Sequence, residues 1–169
     1  MRSLIASLSN LLVTVAVGPG ILAHEYAHYV ACRLAGVEVH TRPVLRPFDD
    51  SAFLQHEPVE NFSTDLAIAV APFLVNSLLA FGTFALVGIT TGLASGVCLW
   101  LGFCFGFTAF PSETDTENLL TTAASLPRYL RPVGYLVAYP VRTATVSMWA
   151  TGLLTFGWTI TLAGSATMV

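Results

Sequence analysis

Lysine is absent from this chain, and charged residues of every kind are scarce. Charged side chains make up 10% of its 169 residues, and the net charge is −3. Proteins that bind nucleic acids carry a basic surface, so this composition argues against a nucleic-acid partner. Soluble domains contain about 25% charged residues. The much lower share here indicates that most of the chain lies in a lipid bilayer.

Cysteine is also scarce, and two common functional motifs are absent from the sequence. The three cysteines, Cys32, Cys98 and Cys104, lie in apolar stretches and form no even set of the kind that disulfide frameworks require. The sequence contains no G-x-S-x-G turn and no glycine-rich phosphate loop. Serine-hydrolase and nucleotide-binding functions therefore have no support.

Long apolar runs dominate the sequence instead. Residues 3–23, 66–112 and 143–169 carry no charge, and a helix needs about 20 apolar residues to cross a bilayer. The middle run suffices for two helices and is interrupted at 88–92 by Gly-Ile-Thr-Thr-Gly, which favours a turn. We predict an all-α integral membrane protein in which about four transmembrane helices form a single domain. The predicted helices span residues 4–34, 65–89, 93–110 and 138–162.

The first helix has a predicted end and one alternative interpretation. Gly36 is a typical residue for the end of a helix. Arg2 before an apolar run is also typical of a signal peptide. Cleavage of such a peptide would remove the helix that should carry the polar residues from His24 to His28. We therefore interpret the run as a transmembrane helix.

Two polar segments, 37–63 and 111–132, connect the predicted helices. Six of the seven arginines lie at or beyond the end of the first helix or between the third and the fourth, whose start is predicted somewhere between residues 134 and 143. Cytoplasmic flanks carry an arginine excess, so we place both segments in the cytoplasm and the protein in the cell membrane. Residues 37–41 alternate apolar and polar side chains, which predicts a short strand or one arm of a β-hairpin.

The residues that can carry chemistry begin with His24-Glu25-Tyr26-Ala27-His28, an H-E-x-x-H pattern in a predicted helix. The spacing places both imidazoles on one helix face within reach of one metal ion. Imidazoles bind zinc, and a carboxylate that does not bind the metal can accept a proton from water. The pattern predicts zinc ligands at His24 and His28 and a catalytic base at Glu25. Hydrogen bonding between helices is the alternative, although ionisable residues within spans usually mark function.

The same helix resembles the metal-binding helix of the site-2 protease family of intramembrane zinc metalloproteases. The similarity continues through residues 31–37, which read Ala-Cys-Arg-Leu-Ala-Gly-Val. Residues 71–80 are similar to the family's G-P-x-x-N-x-x-L-A pattern, with Ala71 in place of the glycine and three residues instead of two between Pro72 and Asn76. The resemblance covers about residues 4–120 and implies a three-helix metalloprotease core that cleaves peptide bonds in or beside transmembrane segments.

The resemblance assigns roles to two further residues. Asn76 matches an asparagine that helps hold the substrate backbone or steady the intermediate, although an asparagine that only bonds helix to helix is the alternative. The family's third metal ligand is an aspartate, commonly in a Leu-Asp-Gly motif that this chain lacks. Asp115 occupies the matching place, and Glu113 and Glu117 are rivals. With Ser112, Asp115 also fits a capping box, which is compatible with metal binding.

The sequence therefore predicts hydrolysis of a membrane protein or peptide, with zinc on His24, His28 and Asp115, water activated by Glu25, and Asn76 at the substrate. The remaining loop histidines, His40 and His56, are interpreted as solvated. Two alternatives stay open. One is a membrane-anchored zinc protease of another family that acts on cytoplasmic segments, and the other is a zinc-binding membrane protein without proteolytic activity.

Overall fold

The computed structural model describes residues 2–44 and 54–168, with side chains described from residue 15 onward except at position 148. These residues form six α-helices, which confirms the predicted all-α class. The helices are α1 Arg2–Leu34, α2 Phe62–Val87, α3 Gly92–Phe107, α4 Leu119–Ser125, α5 Arg131–Val146 and α6 Met148–Ala166, with a 3₁₀ turn at Thr114–Thr116. The central helix, α2, packs against α1, α3, α4 and α6.

The first helix ends where Gly36 predicts. Gly36 has a φ of 72°, a left-handed conformation that glycine adopts without strain. The N–H of Val37 donates to the Cys32 carbonyl at 2.9 Å, and the N–H of Gly36 donates to the Arg33 carbonyl at 3.3 Å. This Schellman arrangement satisfies carbonyls that the helix end would otherwise leave unpaired. The chain therefore leaves α1 shortly after His28.

The middle apolar run divides as predicted, between Val87 and Gly92. Asn61 begins α2 because its side-chain oxygen accepts the N–H groups of Ser63 at 3.0 Å and Thr64 at 3.2 Å. The helix starts slightly earlier than the predicted residue 65. The short connection between the helices makes α2 and α3 neighbours, and they pack along much of their length.

Helices α1 and α3 approach each other closely at Gly20. A Cβ atom at this position would lie 2.1 Å from the backbone oxygen of Cys104, so a larger residue does not fit. The approach places Thr108, which caps the C-terminus of α3, against the turn of α1 that carries His24.

The predicted fourth helix at 138–162 is wrong as a single element. Two helices, α5 and α6, meet at Ser147 and are bent by 100° relative to each other. Ser147 leaves the helical conformation, with φ −96° and ψ 113°, and its Oγ accepts the N–H of Ala150 at 3.4 Å. Ser147 thus caps a new helix. No glycine, proline or charge occurs between residues 143 and 151, so composition did not indicate the break.

One helix of the described residues, α2, is long and apolar enough to cross a bilayer. Helix α3 is apolar but has 16 residues, and α5 and α6 pass the same criterion only as a bent pair. Leu74 and Leu78 on α2 are 59% and 74% exposed. Exposed apolar surface of this kind is typical of contact with lipid or a partner. The fold therefore supports association with a membrane through α2.

The first polar segment doubles back on itself after α1. An antiparallel bridge joins Val39 to His56, with hydrogen bonds from the His40 N–H to Gln55 at 2.8 Å and from the Glu57 N–H to Glu38 at 3.0 Å. This single bridge is the only β-pairing among residues 2–44 and 54–168. The middle of the predicted hairpin, residues 45–53, lies outside the described residues.

Candidate metal centre

His24 and His28 lie one turn apart on α1 and point to the same place. Their side chains are buried, with 8% and 5% of each residue exposed. The imidazoles meet edge to face with centroids 4.9 Å apart, and their Nε2 atoms are separated by 3.2 Å. The four-residue spacing therefore brings the two histidines together as the sequence predicts.

Backbone carbonyls fix the orientation of both rings. Nδ1 of His24 lies 2.7 Å from the Thr108 oxygen, and Nδ1 of His28 lies 2.9 Å from the Ile68 oxygen. A carbonyl only accepts hydrogen bonds, so each Nδ1 carries a proton and each Nε2 faces the other histidine. This is how metal-binding imidazoles are usually oriented.

The two acceptor carbonyls are available for a local reason. Thr108 follows the last turn of α3, where helix carbonyls have no partner within the helix. Ile68 lies four residues before Pro72, and proline has no N–H to give to that carbonyl. Neither Thr108 nor Ile68 is predicted from the sequence to belong to the site. The proline inside an apolar helix was the signal for Ile68.

Asp115 reaches the histidines from the 3₁₀ turn between α3 and α4. Its Oδ2 lies 3.3 Å from Nε2 of His24, and its Oδ1 lies 3.2 Å from Nε2 of His28. Ser112 holds the turn, because its N–H donates to Oδ2 at 2.6 Å and its Oγ accepts the Asp115 N–H at 3.2 Å. The predicted capping box is therefore present, and the same carboxylate also faces the imidazoles.

The surroundings of Asp115 favour its ionised form. Burial by itself raises the pKa of a carboxyl group. Hydrogen bonds and charge interactions with His24 and His28 outweigh that effect and hold the pKa of Asp115 well below its usual range. The two Nε2 atoms and the carboxylate oxygens lie 3.2–3.3 Å apart, a spacing at which they can share protons or surround one cation. The three side chains can therefore hold a metal ion.

The rival carboxylates point elsewhere. Glu113 is exposed and forms an ion pair with Arg142 at 3.2 Å, and Glu117 is exposed. The loop histidine His40 pairs with Glu57 at 3.2 Å, with both side chains about half exposed. Among the described residues, the group of side chains arranged to hold a metal consists of His24, His28 and Asp115.

The two predicted catalytic residues are buried near this group. Glu25 is 8% exposed, and its Oε2 accepts the N–H of Leu54 at 2.9 Å, so the end of the first polar segment covers it. Asn76 is completely buried. Its Nδ2 donates to the backbone oxygens of Gly20 and Thr108, each at 3.1 Å, so it links α1, α2 and α3.

The contacts of Asn76 match the helix-to-helix alternative and leave its catalytic role a prediction. The amide shares the Thr108 carbonyl with His24, and it also lies 2.9 Å from the Thr108 hydroxyl. Among the described residues, no group hydrogen-bonds to the buried side-chain oxygen of Asn76.

Comparison with models of protein families, with curated proteins and with solved structures finds no match to this chain. The resemblance to the site-2 protease family therefore rests on the sequence motifs, and the functional argument rests on the geometry of the site.

Proposed function

We propose that this protein is an intramembrane zinc metalloprotease that hydrolyses peptide bonds in or beside transmembrane segments. One observation carries the proposal. Nε2 of His24, Nε2 of His28 and the carboxylate of Asp115 approach each other to 3.2–3.3 Å, and a backbone carbonyl fixes each imidazole. Such a group beside the glutamate of an H-E-x-x-H motif is typical of zinc-dependent peptide hydrolysis.

Zinc fits the donor set and its spacing. A tetrahedral zinc ion with bonds of about 2.0–2.1 Å separates its ligand atoms by about 3.3–3.4 Å. The observed separations of 3.2–3.3 Å are close to that value. Catalytic zinc sites commonly use three protein ligands and leave a further position for water or substrate. His24, His28 and Asp115 would provide these three ligands.

Glu25 is the residue we assign to proton transfer. It precedes His28 by three residues and is buried beside the two ligands on α1. Zinc in such a site polarises a peptide carbonyl and lowers the pKa of water. Glu25 would accept a proton from the attacking water and donate it to the amine of the leaving peptide. The hydrogen bond from Leu54 to Glu25 holds this carboxylate in one orientation.

A groove between α1 and α2 supports an apolar substrate. The groove has a volume of about 660 Å³, and its surface is almost entirely apolar. Ala23 and Ala27 line it, and these residues directly precede His24 and His28 in α1. Such a surface favours a segment that lies in the bilayer over a polar segment in the cytoplasm. We therefore prefer a transmembrane substrate to the soluble segments that another zinc-protease family would cleave.

The distribution of arginine supports a location and an orientation of the protein in the membrane. We infer that the protein lies in the cell membrane and that its chain crosses the bilayer four times. Because cytoplasmic flanks carry the arginine excess, the metal centre faces the cytoplasm. The bend at Ser147 requires that the fourth crossing be formed by α6 or by the bent pair of α5 and α6.

Metal content of the detergent-purified protein tests the proposal first. We expect about one zinc ion per chain in the wild type and loss of zinc in His24→Ala, His28→Ala and Asp115→Ala. His40→Ala is the matched control, because His40 is an exposed loop histidine that lies outside the metal centre. Absence of metal from the wild type, or iron in place of zinc, would contradict the proposal.

Cleavage is tested separately with Glu25→Gln. This variant should keep zinc and lose cleavage of single-span membrane proteins that are reconstituted with it in liposomes. Full cleavage by Glu25→Gln would refute its role as the base. Zinc binding without cleavage by the wild type would favour a non-proteolytic zinc protein. Loss of zinc in Glu113→Gln or Glu117→Gln but not in Asp115→Ala would favour a glutamate ligand and the other protease family.

A further inference from the structure

We propose that Arg142 on α5 is a positioning residue for Asp115 and acts through the backbone of the turn that carries it. The inference rests on the proposed metal centre and adds a residue that lies outside the three ligands and outside the resemblance, which ends near residue 120. The inference gives α5 the function of holding a metal ligand in place, although the helix itself provides none of the three ligands.

The guanidinium of Arg142 forms hydrogen bonds with the turn on both sides of Asp115. Nη1 donates to the backbone oxygen of Glu113 at 2.6 Å and lies 3.3 Å from Oγ1 of Thr116. Nη2 lies 3.2 Å from Oε1 of Glu113. Arginine suits this task because its donors are held in one planar fork. The contacts fix the residue directly after Asp115 and the second residue before it.

A second contact from the same helix supports the first. Thr145 lies three residues after Arg142, and its Oγ1 is 2.8 Å from Oγ1 of Thr116. Thr116 is completely buried, and its hydroxyl also contacts the carbonyl of Ser112 at 3.2 Å. The turn from Ser112 to Thr116 is therefore attached to α5 by a charged contact and by a neutral one.

Asp115 needs such support more than the other two ligands do. His24 and His28 belong to a helix of 33 residues, whereas Asp115 lies in a 3₁₀ turn of three residues. The capping box with Ser112 shapes the turn but does not tie it to another helix. Metal ligands must be held to within about 0.5 Å of their working positions. Arg142 connects the 3₁₀ turn to α5 and so restrains the position of Asp115.

The sign of the effect distinguishes positioning from simple electrostatics. Arg142 is a cation near a cation site, so removal of its charge alone would tighten metal binding. If Arg142 positions Asp115, removal should weaken metal binding by about 10- to 100-fold, as is usual for residues that orient metal ligands. The two explanations therefore predict opposite changes in affinity.

The experiment compares zinc affinities of full-length variants in detergent by competition with a chelator. Arg142→Ala should bind zinc about 10- to 100-fold more weakly than the wild type. Arg131→Ala is the matched control, because Arg131 lies on the same helix and its Nε contacts only the nearby Leu126 carbonyl among the described residues. We expect the zinc affinity of Arg131→Ala to match that of the wild type, because Arg131 makes no described contact with the turn that carries Asp115.

A double-mutant cycle shows whether Arg142 acts through Asp115. The Asp115→Ala variant loses its metal on purification, so its residual affinity is measured by titration with added cobalt or zinc. In this background Arg142→Ala should cause no further loss of affinity, because the ligand that it positions is gone. The visible spectrum of cobalt-loaded Arg142→Ala should shift toward that of Asp115→Ala. A role in stability alone would not move the spectrum of the folded protein.

Several outcomes would overturn the inference. They are unchanged or tighter zinc binding by folded Arg142→Ala, equal losses in Arg142→Ala and Arg131→Ala, and additive losses in the cycle. If Arg142→Ala does not fold, Thr145→Val is tested in its place, since it removes only the hydroxyl that contacts Thr116, and it should also weaken zinc binding. Failure of the wild type to bind zinc would instead contradict the proposed function.

Discussion

The close approach of α1 and α3 at Gly20 makes a sharp prediction about Gly20→Ala. The added Cβ would lie 2.1 Å from the backbone oxygen of Cys104 and 2.4 Å from the hydroxyl of Thr108, where ordinary contacts begin at 3.4 Å. The Thr108 side chain can rotate, but the Cys104 carbonyl belongs to the backbone of α3. The two helices must therefore move apart by roughly 1 Å to accept the methyl group.

The expected loss of stability combines two opposing effects. Overpacking of this kind costs about 3 kcal/mol when the obstacle is backbone, whereas alanine stabilises a helix by about 1 kcal/mol relative to glycine. The net decrease in the free energy of unfolding is about 2 kcal/mol, which lowers the unfolding temperature by about 4–8 °C in a chain of this size. Separation of the helices also shifts Thr108, whose carbonyl orients His24, so zinc affinity should fall.

Thermal unfolding in detergent measures this effect, and Gly96→Ala is the matched control. Gly96 lies in α3, and a Cβ at that position meets nothing within 4 Å among the described residues. The same chemical change there should leave stability unchanged or raise it by up to about 1 kcal/mol. If Gly20→Ala unfolds at or above the wild-type temperature with wild-type zinc affinity, the inferred packing of α1 on α3 is incorrect.

Three further perturbations test the surroundings of the metal. Pro72→Ala restores an N–H that competes with His28 for the Ile68 carbonyl. Zinc affinity should therefore fall about tenfold, while the unfolding temperature should rise. Unchanged zinc affinity in a chelator titration would contradict this prediction. Asn76→Ala leaves two backbone oxygens without their shared donor and should lower the unfolding free energy by about 1–2 kcal/mol in a denaturant titration; wild-type stability would count against the observed contacts. Removal of zinc by a chelator should lower the unfolding temperature reversibly, and a temperature that does not respond to added zinc would show that the metal is not coupled to folding.

Catalytic assignments stand apart from these tests of structure. The role of Asn76 toward substrate remains a prediction, because its amide nitrogen is engaged with α1 and α3 in the described residues. Activity measurements on Asn76→Ala are informative only when metal content is normal. Glu25 is the better target, since Glu25→Gln changes the charge with little change in shape.

Local chemistry in the sequence determined several features of this protein. The four-residue spacing of His24 and His28 fixes them on one helix face, and Gly36 ends that helix by adopting a left-handed conformation. The turn at 88–92 divides the middle apolar run. Each of these features depends on a few neighbouring residues, so periodicity and turn chemistry were sufficient to predict them.

The tertiary structure alone decided which other groups meet the histidines. Asp115 is 91 residues from His24 in the chain, and nothing local distinguishes it from Glu113 as a ligand. The resemblance selected Asp115, and the packing of the 3₁₀ turn against α1 brings its carboxylate to the site. The break at Ser147 was missed because one hydroxyl cap interrupts an otherwise uniform apolar run. Contacts between helices depend on how whole elements pack, and sequence spacing carries no direct record of that packing.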